Sequence, residues 1–149
     1  MKMTTSERGQ SLVELAISLV LLLVLLSGAV EFGIAFFQFV QLRDAAQEGA
    51  LYGSMNPSNC ADILARVKGA SSSPIDLNGA GVTISTTING IACGDSGYDS
   101  LDCEGNGLKV EITYDHQIFM PFLPAILSRP NLLLKASVTD TILSPVNCT

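Results

Sequence analysis

The dominant pattern along the chain is one long apolar stretch near its start, from Leu12 to Val40. Its central part, Leu15–Val30, has no charged residue, and Glu31 is the one charge that interrupts the apolar residues after it. Those sixteen central residues cover about 24 Å as a helix, less than the roughly 30 Å hydrocarbon core, so a span needs more of the stretch. Since no proline precedes Pro57, the pattern predicts one continuous helix from about Gln10 to Tyr52 that crosses a membrane once and continues beyond it.

Beyond this helix the apolar residues occur in shorter segments, which predict one short helix and several strands. Ser58 or Asn59 can cap a short helix that ends near Gly69. Alternating apolar and polar residues then predict three strands, at Val82–Ile88, at Leu108–Tyr114 and from Leu132 to about Leu143. These elements predict an α+β fold with an antiparallel sheet of about three strands, one face of which packs on the helix that leaves the membrane.

One apolar segment, Ile118–Leu127, does not fit the sheet. Pro121 and Pro124 exclude it from a central strand, because proline lacks the N–H that a neighbouring strand would bond. Two interpretations stay open for its Met120–Leu127 part. The patch either packs over the edge of the sheet or forms a contact surface for a partner or the membrane.

The basic residues around the span predict its orientation. Lys2 and Arg8 precede it, and Arg43 is the one basic residue close behind it. The positive-inside rule therefore favours a cytoplasmic N-terminus and an extracytoplasmic C-terminal part.

A cleaved secretory signal peptide is the alternative to a membrane span. Leu15–Leu26 would be its apolar region, and Ser27, Gly28 and Ala29 would be the small residues at the cleavage site. Against it, Glu14 adjoins the apolar region directly, and cleavage would leave a strongly apolar new N-terminus. We therefore expect a retained span.

All four cysteines follow the predicted span, which agrees with an extracytoplasmic location. An even number of cysteines there predicts two disulfides, with three conceivable pairings. We favour Cys93–Cys103, which closes a short glycine-rich loop, together with Cys60–Cys148.

Composition narrows the classes of function. The 149-residue chain has 8 Lys and Arg against 14 Asp and Glu, a net charge of −6, which argues against non-specific nucleic-acid binding. With His116 as its single histidine, the chain cannot build a metal site from several histidines. Because it also lacks a glycine-rich phosphate or dinucleotide motif, we expect no cofactor and no enzymatic activity.

Two short strings invite a chemical interpretation. Gly94-Asp95-Ser96-Gly97 matches the nucleophile string of chymotrypsin-like proteases, but His116 lies downstream of it and the chain is too short for two barrels. We expect His116 at the surface or at a strand end. The surrounding loop holds Asp95, Asp99 and Asp102, which are candidate Ca²⁺ ligands. Their spacing does not match an EF-hand, and a solvated acidic loop is the simpler explanation.

A carboxylate at the edge of a membrane span usually signals function, because it costs free energy unless it is paired. Glu14 is the fifth residue after Gly9, in the string Arg8-Gly9-Gln10-Ser11-Leu12-Val13-Glu14. This string resembles the processing site of type IV pilin-like proteins, where a prepilin peptidase cuts after the glycine. The resemblance implies a mature chain that starts at Gln10, with Glu14 paired to the new α-amino group of a neighbouring subunit. A carboxylate that is simply solvated among lipid headgroups is the alternative.

Two further motifs extend the resemblance along the helix. They are Val30-Glu31-Phe32-Gly33 and Ala46-Gln47-Glu48-Gly49-Ala50-Leu51-Tyr52-Gly53. Together with Arg8-Gly9-Gln10 and Val13-Glu14, in this order over about 45 residues, they are similar to the TadE-like family of the tight-adherence (Tad, or Flp) pilus systems.

The resemblance implies a minor pilin or pseudopilin in the assembly of a Tad/Flp type IV-like pilus, supporting surface adhesion from the inner (cytoplasmic) membrane. Its implied partners are membrane lipid, other pilin or pseudopilin subunits, the pilus assembly platform and the prepilin peptidase. Residues 1–9 would be a cytoplasmic leader, 10–53 the transmembrane and extended N-terminal helix, and 54–149 the extracytoplasmic α+β domain. The alternative is a membrane-anchored extracytoplasmic binding module, with the acidic loop as a Ca²⁺ or ligand site.

Overall fold

A computed structural model describes residues 6–120 and 123–143 of the chain. Its helices are α1 (Ser6–Met55), α2 (Cys60–Gly69) and α3 (Leu123–Leu127), and its strands are β1 (Val82–Ile88), β2 (Ile91–Ala92), β3 (Gly107–Gln117) and β4 (Asn131–Thr141). These elements confirm the predicted α+β fold, with four strands where about three were expected.

The first helix, α1, is unbroken over 50 residues, about 75 Å at 1.5 Å per residue. The predicted continuous helix is therefore confirmed, and it extends a few residues further at each end. Eleven large apolar side chains between Leu12 and Leu26 each expose 53–68% of their surface. Among the described residues, α1 is the one helix long and apolar enough to cross a membrane.

The chain divides into two compact units. The N-terminal unit is Met1–Ile34 with Gln117–Asn131, and the sheet unit is Ala35–His116 with Leu132–Thr149. In its described part, the N-terminal unit holds the first half of α1 and the connection between β3 and β4. The sheet unit holds the rest of α1, α2 and nearly all of the sheet.

The strand order of the sheet is β2-β1-β3-β4. Antiparallel pairing of β1 with β3 places Ile88 opposite Leu108. β1 and β2 form a hairpin whose turn residues, Asn89 and Gly90, both have positive φ (50° and 87°). An Asn-Gly turn of this kind matches the twist of an antiparallel hairpin. It is the local signal in the sequence for β2, which the prediction of about three strands does not include.

The core of the sheet unit is built from one face of β3 and one face of α2. Leu108, Val110 and Ile112 are fully buried on alternate positions of β3. Ile63 and Val67 are fully buried on α2, as expected for a helix with one apolar side. The N-cap of α2 is Asn59, whose side chain accepts the Asp62 N–H at 3.3 Å, which confirms the predicted start.

The C-terminal part of α1 joins this core mainly through small residues, namely Ala45, Ala46, Gly49, Ala50 and Gly53. A Cβ added at Gly49 would overlap the Val67 Cγ2 of α2. One added at Gly53 would lie 2.9 Å from the Leu108 Cδ2 of β3. The small-residue face of α1 is therefore used within the chain, where it allows a close approach to α2 and β3.

An ion-pair cluster on the sheet links β3 to β4. Glu111 lies 2.6 Å from the Nζ atoms of both Lys109 and Lys135. The hydrogen bond from Lys109, followed by that from Lys135, lowers the pKa of the Glu111 carboxyl. Because both lysines are substantially exposed, each pair contributes only about 0.2–1 kcal/mol.

A disulfide joins Cys60 to Cys93, so the favoured pairing of Cys93 with Cys103 and Cys60 with Cys148 is wrong. Cys60 begins α2 and Cys93 directly follows β2. Because α2 contacts the hairpin strand β1, the Cα atoms of the two cysteines lie 5.9 Å apart. Closeness along the chain is a poor guide here, since it says nothing about which elements pack together. Cys103 is disulfide-bonded as well, and Cys148 lies outside the described residues.

Gly49→Ala is expected to destabilise the folded protein by about 1–3 kcal/mol, because the added methyl group would overlap Val67. Gly69→Ala is the matched control, since Gly69 ends α2 and a Cβ there meets nothing within 4 Å. At an open helix site, alanine is favoured over glycine by up to about 1 kcal/mol. Thermal melting of the full chain in detergent, monitored by near-UV circular dichroism of its tyrosines, measures whether each substitution raises or lowers the Tm. A higher Tm for Gly49→Ala would contradict the close packing.

Mass spectrometry of peptides from the unreduced protein is expected to find Cys60 joined to Cys93. Cys60→Ser and Cys93→Ser should each cost roughly 2–5 kcal/mol of stability. The double variant should cost no more than either single one, because both remove the same bond. A peptide pair that joins Cys93 to Cys103, or additive losses, would contradict this pairing.

Candidate functional site

The first part of the candidate site is the N-terminal end of α1, where the predicted processing bond lies. Gly9 and Gln10 are both exposed, and a Cβ added at Gly9 meets nothing within 4 Å. Glu14 is exposed about one turn further along, beside the exposed side chains of Val13 and Leu15. Because residues i and i+4 share a helix face, Gln10 and Glu14 lie on one side of α1, about 6 Å apart along its axis.

The second glutamate of the apolar stretch has a different environment. Glu31 exposes only 7% of its surface. Its Oε1 accepts the backbone N–H of Phe119 at 3.3 Å, and its Oε2 accepts the backbone N–H of Met120 at 3.1 Å. Glu31 therefore holds the start of the β3–β4 connection against α1.

Sequence reasoning singles out Glu31 as a charge within an apolar stretch, but it does not find what the carboxylate binds. The partners lie 88 and 89 residues further along the chain. They are backbone N–H groups, which every residue except proline has. No side-chain pattern could therefore have pointed to them, although the apolar, proline-containing segment that carries them is visible in the sequence.

The third motif, Ala46–Gly53, connects α1 to α2 within the chain. The Tyr52 hydroxyl donates to Asp62 Oδ2 at 3.2 Å, and the Arg66 guanidinium lies 5.1 Å from the Tyr52 ring centroid. Desolvation, and then the hydrogen bond to Asp62, raise the pKa of Tyr52. Together with the close contacts at Gly49, these interactions give the motif a structural role in the sheet unit.

The acidic loop does not bring its candidate Ca²⁺ ligands together as a metal site. Asp95 and Asp99 are exposed and Asp102 is 5% exposed. Within residues 6–120 and 123–143, no group of three or more acidic, His or Cys side chains could hold a metal ion. The loop is instead fastened by Tyr98, whose buried hydroxyl donates to the Pro57 carbonyl at 3.0 Å. Burial, followed by the charges of Asp102 and Asp99, raises the pKa of Tyr98 to about 12.

The protease-like string and the single histidine lie in different settings. Ser96 is exposed, whereas His116 exposes 1% of its surface near the end of β3. The predicted strand-end position is confirmed, but the alternative of a surface position is wrong. Alternation along β3 turns His116 inward, between exposed Asp115 and Gln117.

Comparison with known proteins gives a match in the N-terminal part of the chain. Residues 9–51 match the family model described as TadE-like protein. No curated protein and no solved structure matches the chain. The matched segment includes Glu14, the Val30–Gly33 motif and most of the Ala46–Gly53 motif, and it ends before the first strand. The resemblance that the sequence motifs indicate is thus confirmed over residues 9–51, and this part of α1 is similar to the TadE-like family.

Proposed function

We propose that this protein is a membrane-anchored minor pilin or pseudopilin of a Tad/Flp pilus assembly system. α1 would cross the inner membrane once, with its N-terminus in the cytoplasm and the sheet unit outside. A prepilin peptidase would cut between Gly9 and Gln10, and subunits would then associate through α1 and support surface adhesion. The observation that carries the proposal is the TadE-like match over residues 9–51, which indicates association with a Tad pilus.

The exposed apolar half of α1 supports a role inside a membrane or a helix bundle. Eleven large apolar side chains between Leu12 and Leu26 expose more than half of their surface. Burying each of them fully is worth about 1.5–3 kcal/mol, so lipid or neighbouring helices must cover this half. Ala29 and Gly33 add a pair of small, exposed residues four positions apart, which suits the close approach of a second helix in lipid.

Glu14 supports assembly through charge pairing. A carboxylate among exposed apolar side chains costs free energy in lipid unless a positive group reaches it. The new α-amino group at Gln10 of a neighbouring subunit would be such a group. Since Gln10 and Glu14 are four residues apart, pairing between parallel helices requires an axial offset of about 6 Å. The same charge pair would therefore also set the stagger between subunits.

Glu14→Gln is expected to leave the protein in the membrane and to lower its amount in the sheared surface fraction about tenfold or more, equivalent to about 1.4 kcal/mol. The variant keeps the size of the side chain and removes the charge that pairs. Glu48→Gln is the matched control, because Glu48 is an exposed carboxylate on the same helix beyond the apolar stretch. Quantitative immunoblots measure, for each variant, the amount of protein in the sheared fraction relative to the amount in the membrane fraction.

Equal amounts of wild type and Glu14→Gln in the sheared fraction would contradict charge pairing. A wild-type chain absent from that fraction, together with normal pili in cells that lack the protein, would contradict the pilus function itself.

A further inference from the structure

We propose that the described part of the connection between β3 and β4, residues 118–120 and 123–130, is a second membrane contact, which lies at the boundary between headgroups and acyl chains beside the end of the span. We call it the interfacial loop. The proposal rests on α1 crossing a membrane. It does not depend on processing at Gly9 or on incorporation into a filament.

The position of Glu31 along α1 sets the depth of this loop. Leu12 and Glu31 are nineteen residues apart, about 28 Å of helix, which is close to the roughly 30 Å thickness of the hydrocarbon core. With Leu12 at one edge of the core, Glu31 lies at the other. Because the Glu31 carboxylate accepts the N–H groups of Phe119 and Met120, the start of the interfacial loop lies at that same edge.

The backbone of the interfacial loop is suited to a place with little water. In hydrocarbon every backbone N–H needs a partner within the protein. The N–H groups of Phe119 and Met120 bond to Glu31, and that of Ile118 bonds to the Pro130 carbonyl at 3.1 Å. The loop also contains two prolines, which have no N–H to satisfy, at positions 124 and 130.

The side chains of the interfacial loop have the chemistry of a lipid boundary. Seven of its eleven residues are apolar, two are proline, and Arg129 carries its single charge. Phe119 exposes 70% and Leu127 55% of its surface, and Phe32 beside Glu31 on α1 exposes 72%. These side chains can enter the acyl region, while the exposed Arg129 can reach the phosphates of anionic headgroups.

Lipid is the occupant that these observations favour over a second copy of the chain. The interfacial loop belongs to the same compact unit as the first half of α1. Its exposed side chains therefore lie in the unit whose exposed apolar side chains a bilayer would cover. Glu31, which would otherwise be an unsatisfied carboxylate at the edge of the hydrocarbon, gains two donors from the same arrangement.

Phe119→Trp provides a direct test, because the chain has no tryptophan and the variant has a single fluorophore at the proposed contact. The full chain is reconstituted into vesicles of phosphatidylcholine and phosphatidylglycerol that contain lipids brominated either near the headgroup or near the end of the acyl chains. We expect both lipids to quench the fluorescence of this variant. Quenching should be about twofold stronger with bromine near the headgroup, where aromatic side chains settle at membrane interfaces.

Two further single-tryptophan variants calibrate the depth. Leu21→Trp lies within the charge-free part of α1 and should be quenched most by bromine near the chain ends. Leu51→Trp lies at an exposed position well past the end of the apolar stretch at Val40, and neither lipid should quench it.

The possible results distinguish a failure of the lipid contact from a failure of the membrane span on which it rests. Quenching of Leu21→Trp without quenching of Phe119→Trp would overturn the lipid contact and leave the span intact. An absence of quenching in both would overturn the span as well. A blue-shifted emission of Phe119→Trp that neither lipid quenches would show that protein, such as a second copy of the chain, covers the loop instead, and would also overturn the proposal.

Discussion

The structure depends on one long helix, α1, whose side chains meet different surroundings in its first half and near its end. In its first half, α1 exposes large apolar side chains, which require lipid or other helices around them. Near its end it presents small residues such as Gly49, because α2 and β3 approach its backbone there. A helix can meet both demands without a break, since its backbone hydrogen bonds are internal and no proline precedes Pro57.

The two glutamates of the apolar stretch lie in different environments, and their roles differ accordingly. Glu14 is exposed at the start of the stretch, where we propose that it pairs with a group from another subunit. Glu31 is 7% exposed and accepts two backbone N–H groups from the same chain. Within the segment that matches the TadE-like model, Glu31 and Gly49 thus organise the chain itself, whereas Glu14 is the residue that we propose for assembly.

Sequence reasoning recovered the features that depend on local patterns. The apolar run predicted the length of α1, alternation predicted the three long strands, and Asn59 predicted the start of α2. It failed where distant segments meet. The Cys60–Cys93 disulfide depends on how α2 packs against a hairpin strand, and the partners of Glu31 are backbone groups almost ninety residues away. Neither arrangement produces a periodic pattern of residues in the sequence.

The central claim is that α1 is the assembly helix of a processed, pilin-like protein. The most direct test is the intact mass of the chain purified from membranes of cells that contain a prepilin peptidase. A mature chain that begins at Gln10 and lacks residues 1–9 is the predicted result. A chain that retains Met1 would contradict processing at Gly9, and one that begins at Val30 would replace the membrane span with a cleaved signal peptide.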